Sequence, residues 1–184
     1  IYRGEWLNLI AGVGDTTVDG TVGTAGMEKT PRFFTHQHSY LYTNIKFPTP
    51  VTWTLGASYD DFEDIPTEVK KVNPKLGVRW EITDKLSVRA ASFEWVKPPL
   101  IADRTLEPTQ VSGFNQVFDN SNGDDAWGRG VGVDWQITKR LLGGGEATWR
   151  YSEVPLPQDP SLTVFEEWKE QLHRAYVFWA PWSR

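Results

Sequence analysis

The chain has 184 residues and no cysteine, and its formal net charge at pH 7 is −5. The length allows one domain with an interior, whereas the absence of thiols excludes a disulfide framework, a thiolate metal site and a cysteine nucleophile. The acidic charge argues against nucleic acid as a partner, because surfaces that bind nucleic acid are basic.

The composition combines ten tryptophans and nine phenylalanines with a hydrophilic average. A transmembrane β-barrel accounts for this combination, because its outward face is apolar with aromatic girdles while its inward face is polar. No stretch approaches the roughly 18 apolar residues of a membrane helix. No signal peptide is visible at Ile1, so an exported protein would be present as a mature chain or an excised piece.

Apolar and polar residues alternate along most of the chain. Residues 51–60 show the clearest pattern, with Trp53 and Leu55 on one face and Thr52 and Thr54 on the other. Alternation with a period of two is typical of half-buried antiparallel strands. It predicts about eight strands, the last beginning near Gln171 after an irregular or helical turn. Their positions are residues 5–14, 38–47, 51–60, 73–82, 86–95, 127–138, 141–152 and 171–180.

The predicted connections are of two kinds. Tight turns at residues 48–50, 83–85 and 138–140 alternate with longer polar segments at 15–37, 61–71, 97–126 and 153–161. Outer-membrane barrels show this asymmetry, with short periplasmic turns and long extracellular loops. Strands of about ten residues also match the length that crosses a bilayer at a tilt. We therefore favour a membrane barrel over a soluble β-sandwich or barrel.

One stretch, VNPKLGVRWEITDKLSVRAASFEWVKPPLIADRTLEPTQ at residues 72–110, resembles the barrel of TonB-dependent outer-membrane receptors. The shared features are a strand that begins Asn-Pro-Lys, a turn with Thr-Asp, a strand with Arg-Ala and a segment with Leu-x-Pro. The stretch LEPTQVSGFNQVFDNSNG at residues 106–123, followed by a glycine-rich strand, is similar to receptor-type barrels attached to tetratricopeptide-repeat proteins of Gram-negative bacteria. The resemblance extends over residues 40–179 and implies transport across the bacterial outer membrane.

The chain departs from that family in three respects. Nothing in it is similar to a plug domain or to a TonB-binding box, and it is far shorter than a 22-strand transporter barrel. Its end at Trp182-Ser183-Arg184 also differs from the terminal aromatic residue common in such barrels. We therefore expect residues 1–184 to form either a C-terminal fragment of a larger barrel or a single barrel domain of eight strands that closes on itself. Its expected partners are the lipid bilayer and the rest of a larger barrel or other subunits.

Charged residues on the polar faces of the predicted strands are the candidates for lining a lumen. They are Lys75, Arg79, Glu81, Arg89, Asp134, Glu146 and Arg150. In a large barrel such residues would act as an electrostatic filter for a polar solute. In a small barrel they would pair with one another and fill the interior. Both interpretations stay open on the sequence alone.

The apolar faces supply the candidates for contact with lipid and with the membrane interfaces. They are Trp53, Leu55, Trp80, Val133, Trp135 and Trp149. Stacking on carbohydrate is the rival interpretation for the tryptophans. A belt at the lipid interface is favoured, because these rings lie near strand ends or on the apolar face.

No motif predicts catalysis, a metal site or a cofactor. His36 and His38 would share one face of a strand, but no acidic or histidine partner lies near them in the sequence. Two groups of carboxylates are interpreted as solvated loops rather than calcium sites. They are Asp60, Asp61, Glu63 and Asp64 in the first group and Asp119, Asp124 and Asp125 in the second.

The sequence thus predicts an all-β, antiparallel transmembrane β-barrel of about eight strands, or part of a larger barrel. Its predicted role is that of a porin-like or receptor-like passage for a polar solute, without catalysis. Two alternatives remain: a small, non-conducting structural or adhesive barrel, and a soluble carbohydrate-binding β-protein with its tryptophans packed inward.

Overall fold

The structure, a computed structural model, describes residues 1–23, 30–64, 67–98, 107–119, 121–159 and 162–181. The strands in these ranges are β1 (Tyr2–Arg3), β2 (Leu7–Val22), β3 (Thr30–Lys46), β4 (Val51–Asp64), β5 (Thr67–Thr83), β6 (Leu86–Val96), β7 (Gln110–Val111), β8 (Phe114–Asn115), β9 (Asp125–Thr138), β10 (Leu141–Asp159) and β11 (Leu162–Trp179). Among the described residues there is no helix of the length and apolarity needed to cross a membrane.

Nine strands form one antiparallel sheet in the order β1-β2-β3-β4-β5-β6-β9-β10-β11. Each long strand pairs with its neighbour in the chain, and the small β7–β8 hairpin is inserted between β6 and β9. Within the described ranges β1 and β11 are the two edges and do not pair with each other, so the sheet is open. The predicted all-β antiparallel architecture is confirmed, as part of a barrel rather than a closed one.

The strands are longer than the alternation predicted. β2 and β3 pair continuously up to Val22 and Thr30, across most of the segment expected to be a loop at residues 15–37. β4 and β5 likewise pair up to Asp64 and Thr67. Those two loop predictions are wrong for the described residues, because backbone hydrogen bonds continue a ladder where the side chains no longer alternate cleanly.

The same extension occurs at the end of the chain. β10 continues through the proline-containing residues 153–159, and β11 pairs with it from Leu162 onward. The expected helical turn before Gln171 is therefore wrong. Val164, Trp168 and Leu172 are four residues apart, a spacing that also places side chains on one face of a strand.

The sheet has two chemically different faces. We call the face that carries Lys75 and Arg89 the inner face, and the face that carries Leu55 and Val133 the outer face. Polar residues are buried on the inner face, whereas large apolar residues are exposed on the outer face. This is the reverse of a water-soluble sheet and is the pattern of a membrane barrel.

Candidate functional site: a hairpin seated on the charged inner face

Residues 107–119, which we call the inner hairpin, lie against the inner face of the strands from β3 to β6 and of β9 and β10. The segment contains β7 and β8, and its backbone is closed by a 2.8 Å hydrogen bond from Gln116 N to Thr109 O. Ser112 and Gly113 form its tip with positive φ angles of 48° and 84°. Glycine adopts this left-handed conformation without steric cost, which allows the tight reversal.

The nine-stranded sheet, which we call the wall, carries glycine where the inner hairpin contacts it most closely. A Cβ atom at Gly77 would lie closer than 3.0 Å to the side chain of Ser112, and one at Gly130 would lie equally close to the ring of Phe114. Val111 and Phe114 are consequently buried, and both belong to the main apolar cluster of the inner face. Glycine within a strand often marks such a close approach.

A buried polar network fixes the start of the inner hairpin to the wall. The Lys75 ammonium lies 3.3 Å from Glu107 Oε1 and also donates to Gln116 Oε1 and to the carbonyl oxygen of Glu94. The Tyr42 hydroxyl donates to Glu107 Oε2 at 2.6 Å and accepts from Gln116 Nε2 at 3.1 Å. Buried charges persist when they are paired and hydrogen-bonded, as they are here.

Arg89 fixes the tip of the inner hairpin. Its guanidinium donates to Glu146 Oε2 at 2.6 Å and to Asp134 Oδ2 at 3.3 Å on the wall. The same group donates to the carbonyl oxygen of Gly113 at 3.1 Å and lies 4.3 Å from the ring centroid of Phe114. One planar guanidinium thus connects β9 and β10 to the tip through several donors at once.

Three more contacts complete the seat of the inner hairpin. Ser112 Oγ donates to Thr54 Oγ1 at 3.1 Å, and Trp95 Nε1 donates to the carbonyl oxygen of Val117 at 2.8 Å. At the far end, Arg150 pairs with Asp119 at 2.7 Å. With Tyr42 on β3 included, the contacts extend from β3 to β10.

Lys97 follows β6 directly and is hydrogen-bonded to residues 122–124, which precede β9, so the two ends of the connection that contains the inner hairpin lie together. Its backbone NH donates to the carbonyl oxygen of Asp124, and its carbonyl oxygen accepts from Gly123. Its ammonium donates to the carbonyl oxygen of Pro98 at 2.8 Å and to Asn122 Oδ1 at 3.3 Å. Burial lowers the pKa of Lys97, because removal from water disfavours the charged form.

The structure places every candidate lumen residue on the inner face, and most of them are paired. Arg150 also binds Glu170 at 2.8 Å, and Arg174 binds Glu146 at 2.9 Å. Arg79 and Glu81 are exposed, and Arg79 donates to Ser87 Oγ at 3.0 Å. The described inner face thus has the pairing expected of a filled interior, while the lining of a lumen by these residues remains a prediction.

The candidate lipid-facing residues lie on the outer face, between 36% and 52% exposed. Their contact with lipid remains a prediction. Among the described tryptophans, Trp95 alone is fully buried, beneath the inner hairpin. Trp127 is half-buried under the guanidinium of Arg129, and Trp182 lies outside the described residues.

Two acidic residues expected in solvated loops are buried. Asp60 and Asp124 are only 3% and 1% exposed. Because β4 continues to Asp64, the alternation directs Asp60 to the inner face, opposite His38. Sequence reasoning also did not find Tyr42, Glu107 or Gln116 as partners of Lys75, since they are distant in the chain.

An open antiparallel sheet with an exposed apolar face and a covered, charged face is typical of part of a membrane β-barrel. Residues 2–125 match the family model described as TonB dependent receptor-like, beta-barrel, and the chain belongs to this family. The matched range includes β2 to β6 and the inner hairpin. Comparisons with curated proteins and with solved structures returned no match. The family consists of transporters rather than enzymes, and its members are typically found in the outer membrane.

Proposed function

We propose that the chain forms part of the wall of an outer-membrane receptor barrel, and that the inner hairpin controls the passage of a polar solute along the inner face. The observation that carries the proposal is the seating of the inner hairpin on Lys75 and Arg89. These contacts cover charged groups that a polar solute would otherwise meet. The outer face with Leu55 and Val133 would contact lipid, and other barrel strands would pair with the edges of the sheet.

The hydrogen bonds and ion pairs that hold the inner hairpin on the sheet are interactions that can break and re-form. A hydrogen bond or ion pair that breaks can be replaced by bonds to water, so its net contribution to stability is small compared with its strength in isolation. Lifting the inner hairpin would remove Glu107 from Lys75 and leave the ammonium without this carboxylate. An anionic group of the solute could then occupy the position of Glu107, as charged linings do in selective pores.

A disulfide lock tests the proposed movement. The chain has no native cysteine, so Thr54→Cys with Ser112→Cys introduces a single pair, at side chains whose oxygens are 3.1 Å apart. A disulfide at this place would hold the tip of the inner hairpin on β4. The matched control is Gln110→Cys with Asn115→Cys, which are partners within the hairpin and would not join it to the wall.

The measurement is the swelling rate of proteoliposomes in arabinose, a small polar solute, before and after reduction. We expect reduction to increase the flux through the Thr54/Ser112 variant and to leave the Gln110/Asn115 variant unchanged. Equal flux through the oxidised and reduced Thr54/Ser112 variant would contradict control by the inner hairpin.

The paired interior favours one other function, a structural barrel that conducts nothing. Glu107→Gln, which removes the carboxylate facing Lys75, separates the two accounts. A receptor-type passage should become leakier to arabinose in this variant. A structural barrel would show no flux in either form although it inserts into the liposomes.

A further inference from the structure

Three side chains outside the inner-hairpin seat form a second buried cluster on the inner face. His36 and His38 lie on β3 and Asp60 lies on β4, with His38 and Asp60 directly opposite in the register. Their exposures are 1%, 6% and 3%. One nitrogen of each imidazole and one carboxylate oxygen lie within 4.8 Å of one another.

Both imidazoles converge on a single oxygen. His36 Nε2 lies 2.9 Å from Asp60 Oδ1, and His38 Nδ1 lies 2.8 Å from the same atom. The second carboxylate oxygen, Oδ2, accepts from Asn73 Nδ2 at 2.8 Å. Ligands at zinc bond lengths lie about 3–3.5 Å from each other. Small shifts of these side chains would therefore place all three donors on one ion.

Several buried polar atoms in this cluster have no hydrogen-bond partner. They are His36 Nδ1, His38 Nε2, Ser58 Oγ and Asn73 Oδ1. Ser58 faces Asn73 across the β4–β5 ladder, next to Asp60. Unpaired buried polar atoms cost free energy. A water molecule on a bound ion would supply partners for Ser58 Oγ and Asn73 Oδ1, whereas the two unpaired histidine nitrogens are the ring atoms that do not contact Asp60.

Aromatic side chains surround the cluster. Phe62 packs edge-on against His36 with ring centroids 5.4 Å apart, and Tyr40 lies 5.9 Å from the ring of His38. Phe34 and Phe62 are both buried on the same face. An apolar shell of this kind strengthens the interaction of an ion with its ligands and orients them.

We propose that His36, His38 and Asp60 bind one divalent transition ion of the zinc class, with at least one coordination position open for water or for a solute donor. Two imidazoles and one carboxylate suit zinc and its first-row neighbours, whereas calcium and magnesium prefer oxygen ligands alone. Three protein ligands with an open position are characteristic of reactive rather than purely structural zinc sites. Asn73 is the outer-sphere partner that holds the carboxylate.

The test is equilibrium dialysis of the reconstituted protein against Zn²⁺, with metal analysis and with Co²⁺ absorption as a report of coordination. We expect one Zn²⁺ per wild-type chain at this site. Asn73→Ala should weaken binding about 10–100-fold, as the loss of outer-sphere partners does. Asp60→Asn and His38→Gln should weaken it more. His173→Gln, at the exposed third histidine on β11, should bind as the wild type does.

Two results would overturn the proposal. One is a wild-type protein that retains no more Zn²⁺ than the His36→Gln/His38→Gln double variant. The other, which needs no variant, is an unfolding temperature of the wild type that does not rise when Zn²⁺ is added. An ion bound to the folded state stabilises it, so the proposal requires such a rise and its reversal by a chelator. Without that shift, the cluster is a hydrogen-bonded connection between β3 and β4 and nothing more.

Discussion

Lys75 of β5 and Glu107 of the inner hairpin form a buried ion pair, with the ammonium nitrogen 3.3 Å from the carboxylate oxygen and side-chain exposures of 0% and 5%. The two residues are 32 positions apart in the chain. Removal of one partner from a buried pair leaves an uncompensated charge, whereas removal of both does not. This pair therefore couples the seating of the inner hairpin to the stability of the wall.

The first prediction concerns that coupling. Lys75→Met or Glu107→Gln alone should each lower the free energy of unfolding by about 3–5 kcal/mol. The double variant should lose much less than the sum of the two, since residues in contact are not additive. Urea unfolding in lipid or detergent measures all four proteins. Lys85→Met, at an exposed turn, is the matched control, and simple additivity in the double variant would contradict the coupling.

The second prediction compares two arginines that face each other across the β5–β6 ladder, Arg79 and Arg89. Arg89→Lys should loosen the tip of the inner hairpin, because a lysine cannot reach Glu146 and Gly113 together with the same fork of donors. We expect a loss of about 2 kcal/mol, the contribution of a hydrogen bond to a charged group. Limited proteolysis between β7 and β8 should accelerate in parallel.

Arg79→Lys is the control for that comparison. Arg79 is exposed and its side chain donates to Ser87 on the same wall, not to the inner hairpin. A change within about 0.5 kcal/mol is expected for such a surface position. If both variants are cleaved at the wild-type rate, Arg89 does not hold the tip.

The third prediction uses the glycine contacts. Gly130→Ala should displace Phe114 and cost about 1–3 kcal/mol, because an added methyl group overfills a packed site. Labelling of Ser112→Cys by a maleimide should become faster in this background as the inner hairpin lifts. Gly14→Ala, on the same face but with open space around the new Cβ, should leave the labelling rate unchanged. Equal labelling rates for the two alanine variants would show that the inner hairpin does not depend on Gly130.

Alternation alone predicted the positions of the main strands and the face that each side chain occupies. It worked because successive side chains of a strand point to opposite faces whatever its pairing register. Lys75 and Arg89 therefore lie on one face, and Leu55 and Val133 on the other. The strand extensions were not predictable in this way. Beyond Asp60 and before His38 both faces carry polar residues, so the pattern disappears although the ladder continues.

The partners of the buried charges could not be predicted from local sequence. Glu107 reaches Lys75, and Asp60 reaches His36, only after the chain has folded back across the sheet. One signal was present: Gly128, Gly130 and Gly132 occupy successive inner positions of β9. Glycines at every second residue of a strand indicate that something packs closely against that face, and here the contacts come from Phe93, Phe114 and Arg89.

The last prediction tests which face meets the membrane. Leu55→Arg and Val133→Arg place a charge on the exposed apolar outer face. If that face contacts lipid, each should cost about 2–4 kcal/mol at the midplane and reduce assembly into the membrane. Gln136→Arg is the control, because alternation puts Gln136 on the inner side of β9, three residues from Val133, where it is exposed. The measurement is the folded fraction in liposomes, resolved by heat-dependent migration on gels. Equal assembly of all three variants would mean that the outer face does not lie in the hydrocarbon of the bilayer, since a charge there would then cost no more than one on the polar inner face.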